Sequence, residues 1–494
     1  MIDRYLLLIA LTLLFEVGWS TFTYGQNNSW SVKFDGLGSF SSPRVADLNG
    51  DGIGDIIIGA GRQEFLSCDS AVMALDGQNG EMLWKVHARD QIFGSAAIKD
   101  LNKDGVPDII IGGRSAELKA INGRTGDLIW EFFSSDDTNR PRKAGWYNFY
   151  NPQFIPDQDG DGLEDILVSN GGDVLAEPYD PDRPAGSLLV ISGRNGKLLS
   201  KAVMPDGKET YMSVAVAETS GNDHSVIFGT GGETLGGSLY VAKLSDVMKG
   251  DLSGARILAT GKNKGFIAPP AWVDLNSDGY YDIVALSVDG RMFAFDGKSY
   301  EPLWETTLPD TEVYSSLAIG NLTGDNVLDL FVSVAAGVWP KLEWNCQFMV
   351  NGANGKIEYV DSLGFYQTST PVVADFDGDG TDEILLSVNY HIIDEIFQKF
   401  FYTMLVIIDF NPLEVKQIGD SFVGSNPSST PWIGDLDQDG KIEIIYCHET
   451  DPRRTNVFSG VQVNRIETDI PVHSKIKWGA YMGSDYNGVY KSTK

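Results

Sequence analysis

Asp47–Gly59 reads DLNGDGIGDIIIG, and Asp100–Gly112 repeats it as DLNKDGVPDIIIG. Oxygen-bearing side chains stand at loop positions 1, 3, 5 and 9 (Asp47, Asn49, Asp51, Asp55), with Gly52 where the chain turns sharply. That spacing suits a hard cation, since calcium takes roughly six to eight oxygens and accepts backbone carbonyls and water among them. An EF-hand opens in the same way but needs a bidentate Glu at position 12 and a helix on each side. Position 12 here is Ile58, and the β-branched run Ile56–Ile58 predicts a buried strand instead.

The unit recurs along the chain. Further acidic loops place Asp100, Asn102, Asp104 and Asp108; Asp157, Asp159, Asp161 and Asp165; and Asp274, Asn276, Asp278 and Asp282 at the same four positions. Three more carry Asn321, Thr323, Asp325 and Asp329; Asp375, Asp377, Asp379 and Glu383; and Asp435, Asp437, Asp439 and Glu443. The loop at Asn321 is the poorest, with two carboxylates and Asn326 in place of the turn glycine. An eighth copy, MSVAVAETSGNDHSVIFGTGG from Met212, keeps the strand pattern but reads Ala217, Thr219, Gly221 and Ser225, so no metal is expected there.

The second half of the unit also repeats. Ala71–Trp84 (AVMALDGQNGEMLW), Leu118–Trp130 (LKAINGRTGDLIW) and Arg291–Trp304 (RMFAFDGKSYEPLW) each give a strand, a tight turn and a second strand ending in Trp. Leu188–Leu199 and Phe348–Val360 keep the hairpin without the Trp. Four short strands per unit, with no sustained 3.6-residue period, make a blade-sized module of the kind that closes into a ring.

The acidic half resembles the FG-GAP (VCBS-type) repeats of the integrin α-subunit propeller, and the Trp half is similar to the tryptophan-docking repeats of quinoprotein propellers. The resemblance implies an all-β, eight-bladed β-propeller of four-stranded antiparallel blades over residues 26–469. It implies structural calcium in about seven loops on one face, and partner binding on the opposite face. Trp30–Phe34 (WSVKF) is expected to complete the last blade, and the tail 470–494 to pack on the propeller, across its rim. The adjacent-cysteine pair common among quinoprotein dehydrogenases is absent.

Charge narrows the partners. The 494 residues carry a formal charge of −30, which disfavours nucleic acid and anionic lipid. Seven divalent cations would cancel nearly half of it. Residues 1–25 read as a signal peptide: Arg4 precedes the apolar run Tyr5–Phe15, too short to span a bilayer, and Thr23 and Gly25 suit cleavage before Gln26. The mature protein is therefore expected to be secreted, extracellular or periplasmic. Three cysteines (Cys68, Cys346, Cys447) make no disulfide framework, although Cys68 and Cys447 fall in neighbouring blades.

The longest connection, Ser134–Asn151, sets Arg140, Arg142 and Lys143 beside Trp146, Tyr147 and Tyr150. Aromatic faces beside cations suit sugar rings bearing acidic groups, although the same aromatics would serve equally as core. Two functions stay open. One is a binding or adhesion module for an extracellular carbohydrate or glycoprotein. The other is a lyase-like polysaccharide enzyme with Tyr147, Tyr150 or His391 as base.

Overall fold

The computed structural model describes residues 28–220, 223–365 and 369–491; residues 1–25, expected from sequence to be a signal peptide, lie outside them. Eight antiparallel sheets follow one another along the chain, each with a short first strand such as Arg44–Ala46, then Asp55–Gly59, Cys68–Leu75 and Met82–Ala88. Two sheets, the third and the sixth, gain a two-residue strand (Asn148–Phe149 and Thr311–Glu312) that continues the first one. Two five-residue helices, Asn139–Lys143 and Leu244–Met248, are the helices among the described residues. None of the described helices is long and apolar enough to cross a membrane.

The isoleucine runs are buried along their whole length, Asp55–Gly59 and Asp108–Gly112 alike. A central strand in a stack of blades is covered on both faces, so it needs no polar alternation. Outer strands do alternate: Trp30–Asp35 and Ile357–Asp361 expose every second residue. Trp30–Asp35 pairs antiparallel with Gly460–Arg465, so the N-terminal strand is the outer strand of blade eight and the ring closes as the sequence predicts.

Tryptophans staple neighbouring blades. The indole N–H groups of Trp30, Trp84, Trp130 and Trp304 donate to the carbonyls of Gly77, Gly123, Gly193 and Gly352, each in the next blade's hairpin turn. Gly126 shows why the turn is glycine. Its φ is +75°, and a Cβ there would stand 2.7 Å from the Trp84 side chain.

The tail does not cross the rim. It pairs with first strands instead: Val373 N–H donates to Trp478 O, Ile433 N–H to Gly479 O and Trp272 N–H to Gly488 O. Trp478 is 1% exposed and its indole donates to Leu317 O, while Arg44 donates to Tyr481 O and stacks on Tyr486. One short segment can reach the first strands of blades one, five, six, seven and eight only where they converge, at the propeller axis. The rim expectation fails because Trp478, Met482, Val489 and Tyr490 bury more apolar surface in the channel than a rim offers.

Candidate functional site

Each acidic loop is tied by its own backbone. In loop one Asp47 accepts from Gly50 and Gly52 N–H, Asp51 from Ile53 N–H, and Asp55 from Leu48, Asn49 and Gly77 N–H. The position-1 bond recurs between Asp157 and Gly162, Asp274 and Gly279, and Asp435 and Gly440. In loop six Asn321 accepts from Asn326, which takes φ +64° at the place of the turn glycine.

The position-9 carboxylates are buried: Asp55, Asp108, Asp165, Asp282, Asp329, Glu383 and Glu443. Burial disfavours their charged forms, pushing Asp55 and Asp282 up to about 6, Asp329 to about 7, and Glu383 and Glu443 to about 8. Glu383 Oε1, Glu443 Oε1 and Asp329 Oδ1 are buried and accept no hydrogen bond. Carboxylate oxygens gather within 4.8 Å of one another in Asp157, Asp159 and Asp165, in Asp375, Asp377 and Glu383, and in Asp435, Asp437 and Glu443. Unpartnered buried oxygens facing other carboxylates are a donor set that a hard cation fits.

Two residues that the loop spacing misses alter the loop of blade eight, Asp435–Glu443 (loop eight, loops being numbered by blade). Glu467, on the third strand, gathers with Asp439 and Glu443, and buried Arg465 bridges Asp437 at 2.6 Å and Glu467 at 2.9 Å. They come from the neighbouring strand, where Glu467 pairs with Glu443 from far along the chain, so no local spacing marks them. In blade four, where the acids are missing, Ser225 Oγ bonds Thr219 Oγ1 at 2.9 Å and Tyr300 OH at 2.8 Å. Hydroxyls there satisfy one another without a cation.

The opposite face holds a funnel on the axis. Its cavity of 530 Å³ is lined by residues just ahead of first strands, among them Ser42, Ser95, Asn151, Ser213, Ser315 and Ser428. Phe40, Phe93, Tyr150, Tyr211 and Tyr314 supply aromatic walls, Trp344 comes from the hairpin of blade six, and Tyr481 of the tail closes the cavity from the axial side. Phe93, Tyr150 and Tyr211 form a run of ring contacts at 5.4 and 6.3 Å. The 2–3 loop of blade three reaches across the mouth, where the Tyr179 ring lies 6.4 Å from Trp339.

This geometry divides the basic-aromatic connection. Tyr150 lines the funnel, whereas Trp146 packs edge-on against Phe132 with the Lys201 ammonium 4.3 Å from its ring centroid. Arg142 is bound by Asp173 at 2.8 Å, and Arg140 reaches Asp137 at 3.7 Å. Arg140 and Lys143 are exposed on the short helix, and Tyr147 is half-buried outside the cavity lining. A signal for the funnel was present in the sequence: Phe40, Phe93, Tyr150 and Tyr314 each stand seven residues ahead of position 1 of their loop. The three cysteines are free thiols, two of them buried in separate clusters.

The fold and its repeats define an eight-bladed β-propeller of the FG-GAP-like kind. Residues 274–332 match the FG-GAP-like repeat family, and residues 30–253 match the FAM234A/B beta-propeller family. The chain is similar to protein FAM234B of Gallus gallus, at 28% identity over 42% of this chain and 32% of that protein. It is also similar to human FAM234B, at 21% identity over 70% of this chain and 57% of that protein. The matches thus span about a third to somewhat over half of those relatives' length. Among solved structures, a quinohemoprotein alcohol dehydrogenase from Pseudomonas putida HK5 aligns with a TM-score of 0.56 at 11% identity, covering 92% of this chain and 77% of that one, which shows the shared fold.

Proposed function

We propose that the chain is an exported, calcium-stabilised binding module whose extracellular carbohydrate or glycoprotein ligand enters the axial funnel on the face opposite the acidic loops. One observation carries this reading: consecutive blades send aromatic rings and hydroxyls to a single cavity of 530 Å³ that the chain's own tail closes from the axial side. A concave, largely preformed, aromatic-lined site with a few placed polar groups is what small-ligand recognition requires. Calcium has the supporting part, because partnerless buried oxygens such as Glu383 Oε1 would be stabilised by a cation, and the loops stand away from the funnel.

The lyase alternative has less support. Tyr147 and His391 are not among the described residues that line the cavity, and His391 lies between Phe365 and Phe401. Burial pushes the Tyr150 hydroxyl up, the wrong direction for a base near neutral pH. The test is an array of glycans and glycoproteins probed with the parent, with Tyr211→Ala in the funnel, and with the pair Arg140→Ala and Lys143→Ala on the short helix. Binding lost in the first variant and kept in the second supports the funnel. The reverse pattern places the ligand on the Ser134–Asn151 connection.

A further inference from the structure

The funnel has an unusual charge balance for a site in so acidic a chain. Among its described lining residues one side chain is basic, Arg114, and one is acidic, Glu343. Arg114 is already engaged: its guanidinium meets Glu64 at 2.7 Å and Gln91 Oε1 at 2.9 Å, and lies 5.7 Å from the Phe93 ring centroid. Behind the tyrosines the pattern repeats. Arg183 meets Glu209 at 3.0 Å, Lys264 meets Glu312 at 2.5 Å, and these same carboxylates accept from Tyr211 and Tyr314.

Each of these cations is therefore matched by a carboxylate before any ligand arrives. A uronate, sulfate or phosphate would gain no charge-assisted contact from them, and it would enter against the field of a chain carrying −30. Glu209 and Glu312 are likewise occupied, whereas Glu343, exposed on the lining, takes part in none of the described ion pairs.

Glu343 apart, what the cavity offers is uncharged. Aromatic faces present apolar surface to C–H groups, while hydroxyl and amide side chains alternate with them around the ring. Ser428 is among the lining residues, and its Oγ, shut off from solvent and without a hydrogen-bond partner in the protein, reaches a ligand by rotation about χ1. A buried polar atom left in that state gains from a ligand hydroxyl. The volume falls within the range of about 300–1,000 Å³ that encloses a small ligand, too little for a folded partner.

Building on the funnel as the binding site, we infer that its ligand is a short neutral oligosaccharide, or the uncharged end of a longer glycan, and not an acidic sugar. Sugar C–H faces stack on the walls around Tyr211 and Trp344, and ring hydroxyls bond Ser428 and its neighbours. The matched ion pairs act by exclusion: an added negative charge would find no free cation and would disturb a pair already made.

The test is an array of neutral, uronate-containing and sulfated oligosaccharides, read in millimolar calcium with the parent, Trp344→Ala and Ser428→Ala. Neutral members alone should bind. Trp344→Ala should weaken them about tenfold or more, and Ser428→Ala several-fold, with melting temperatures unchanged. Binding of acidic members with neutral ones silent, still lost in Trp344→Ala, overturns the charge argument and leaves the funnel as the site. Glycan binding unaffected by both substitutions, or no binding by any member, overturns the funnel and this inference together.

Discussion

Removing calcium should lower the melting temperature by several degrees, and the loops set the size of the effect. Extracellular calcium modules have dissociation constants of about 10⁻⁴ to 10⁻³ M, so millimolar calcium contributes roughly 0.4–1.4 kcal/mol per site. Seven sites give about 3–10 kcal/mol, comparable to the whole net stability of an ordinary domain. A cooperative unit of this size unfolds with an entropy of about 1 kcal/mol/K, so the shift is about 3–10 °C. The contribution is uneven. Loops three, seven and eight each gather three carboxylates within 4.8 Å, whereas loop six has two in all. Calorimetric titration of the chelated protein should show the gathered loops filling first. Glu383→Gln, which keeps the side chain's shape, should remove about one site's share of the shift, and Asp325→Asn should remove less. The assay is differential scanning calorimetry before and after exhaustive chelation. An unchanged melt would refute the cation account, and the loops would then stand on their backbone hydrogen bonds alone.

Three further outcomes follow from packing and burial. Trp84→Ala removes a buried indole and its bond to Gly123 O, and should cost about 3–5 kcal/mol in urea denaturation, while Met82→Ala on the exposed side of the same strand should cost little. Trp478→Ala should cost a similar amount, about 3–5 kcal/mol, because the tail fills the axial channel; a loss below about 1 kcal/mol would put it back on the rim. His448 is buried beside Phe422 and Tyr446, and burial holds it down to about 4 against an ordinary 6.5. The unfolded chain therefore binds that proton first, and the stability His448 allows at neutral pH is lost as pH falls from about 6.5 toward 4. His448→Phe should flatten that limb relative to the parent, and parallel pH–stability curves for the two would contradict the assignment.

The sequence alone determined the repeat and therefore the fold. Its signals were local: acidic loops with a fixed spacing, β-branched runs with no alternation, and Trp-ended hairpins, each acting within one blade or on the next. Ring closure was legible for the same reason, since Trp30–Phe34 is a copy of an outer strand that lacks its other three. What brings residues distant in the chain together was not legible. Glu467 and Arg465 reach the loop of blade eight from the neighbouring strand, and Tyr300 meets Ser225 from the neighbouring blade. Charge clusters in the sequence also mislead, because Arg142 looks available along the chain and is tied to Asp173 in space. Only the tertiary structure decided that the tail enters the axis, and that aromatics spaced a blade apart form one wall. A cavity at the centre of a ring takes one or two residues from each unit, so its chemistry exists only once the ring has closed.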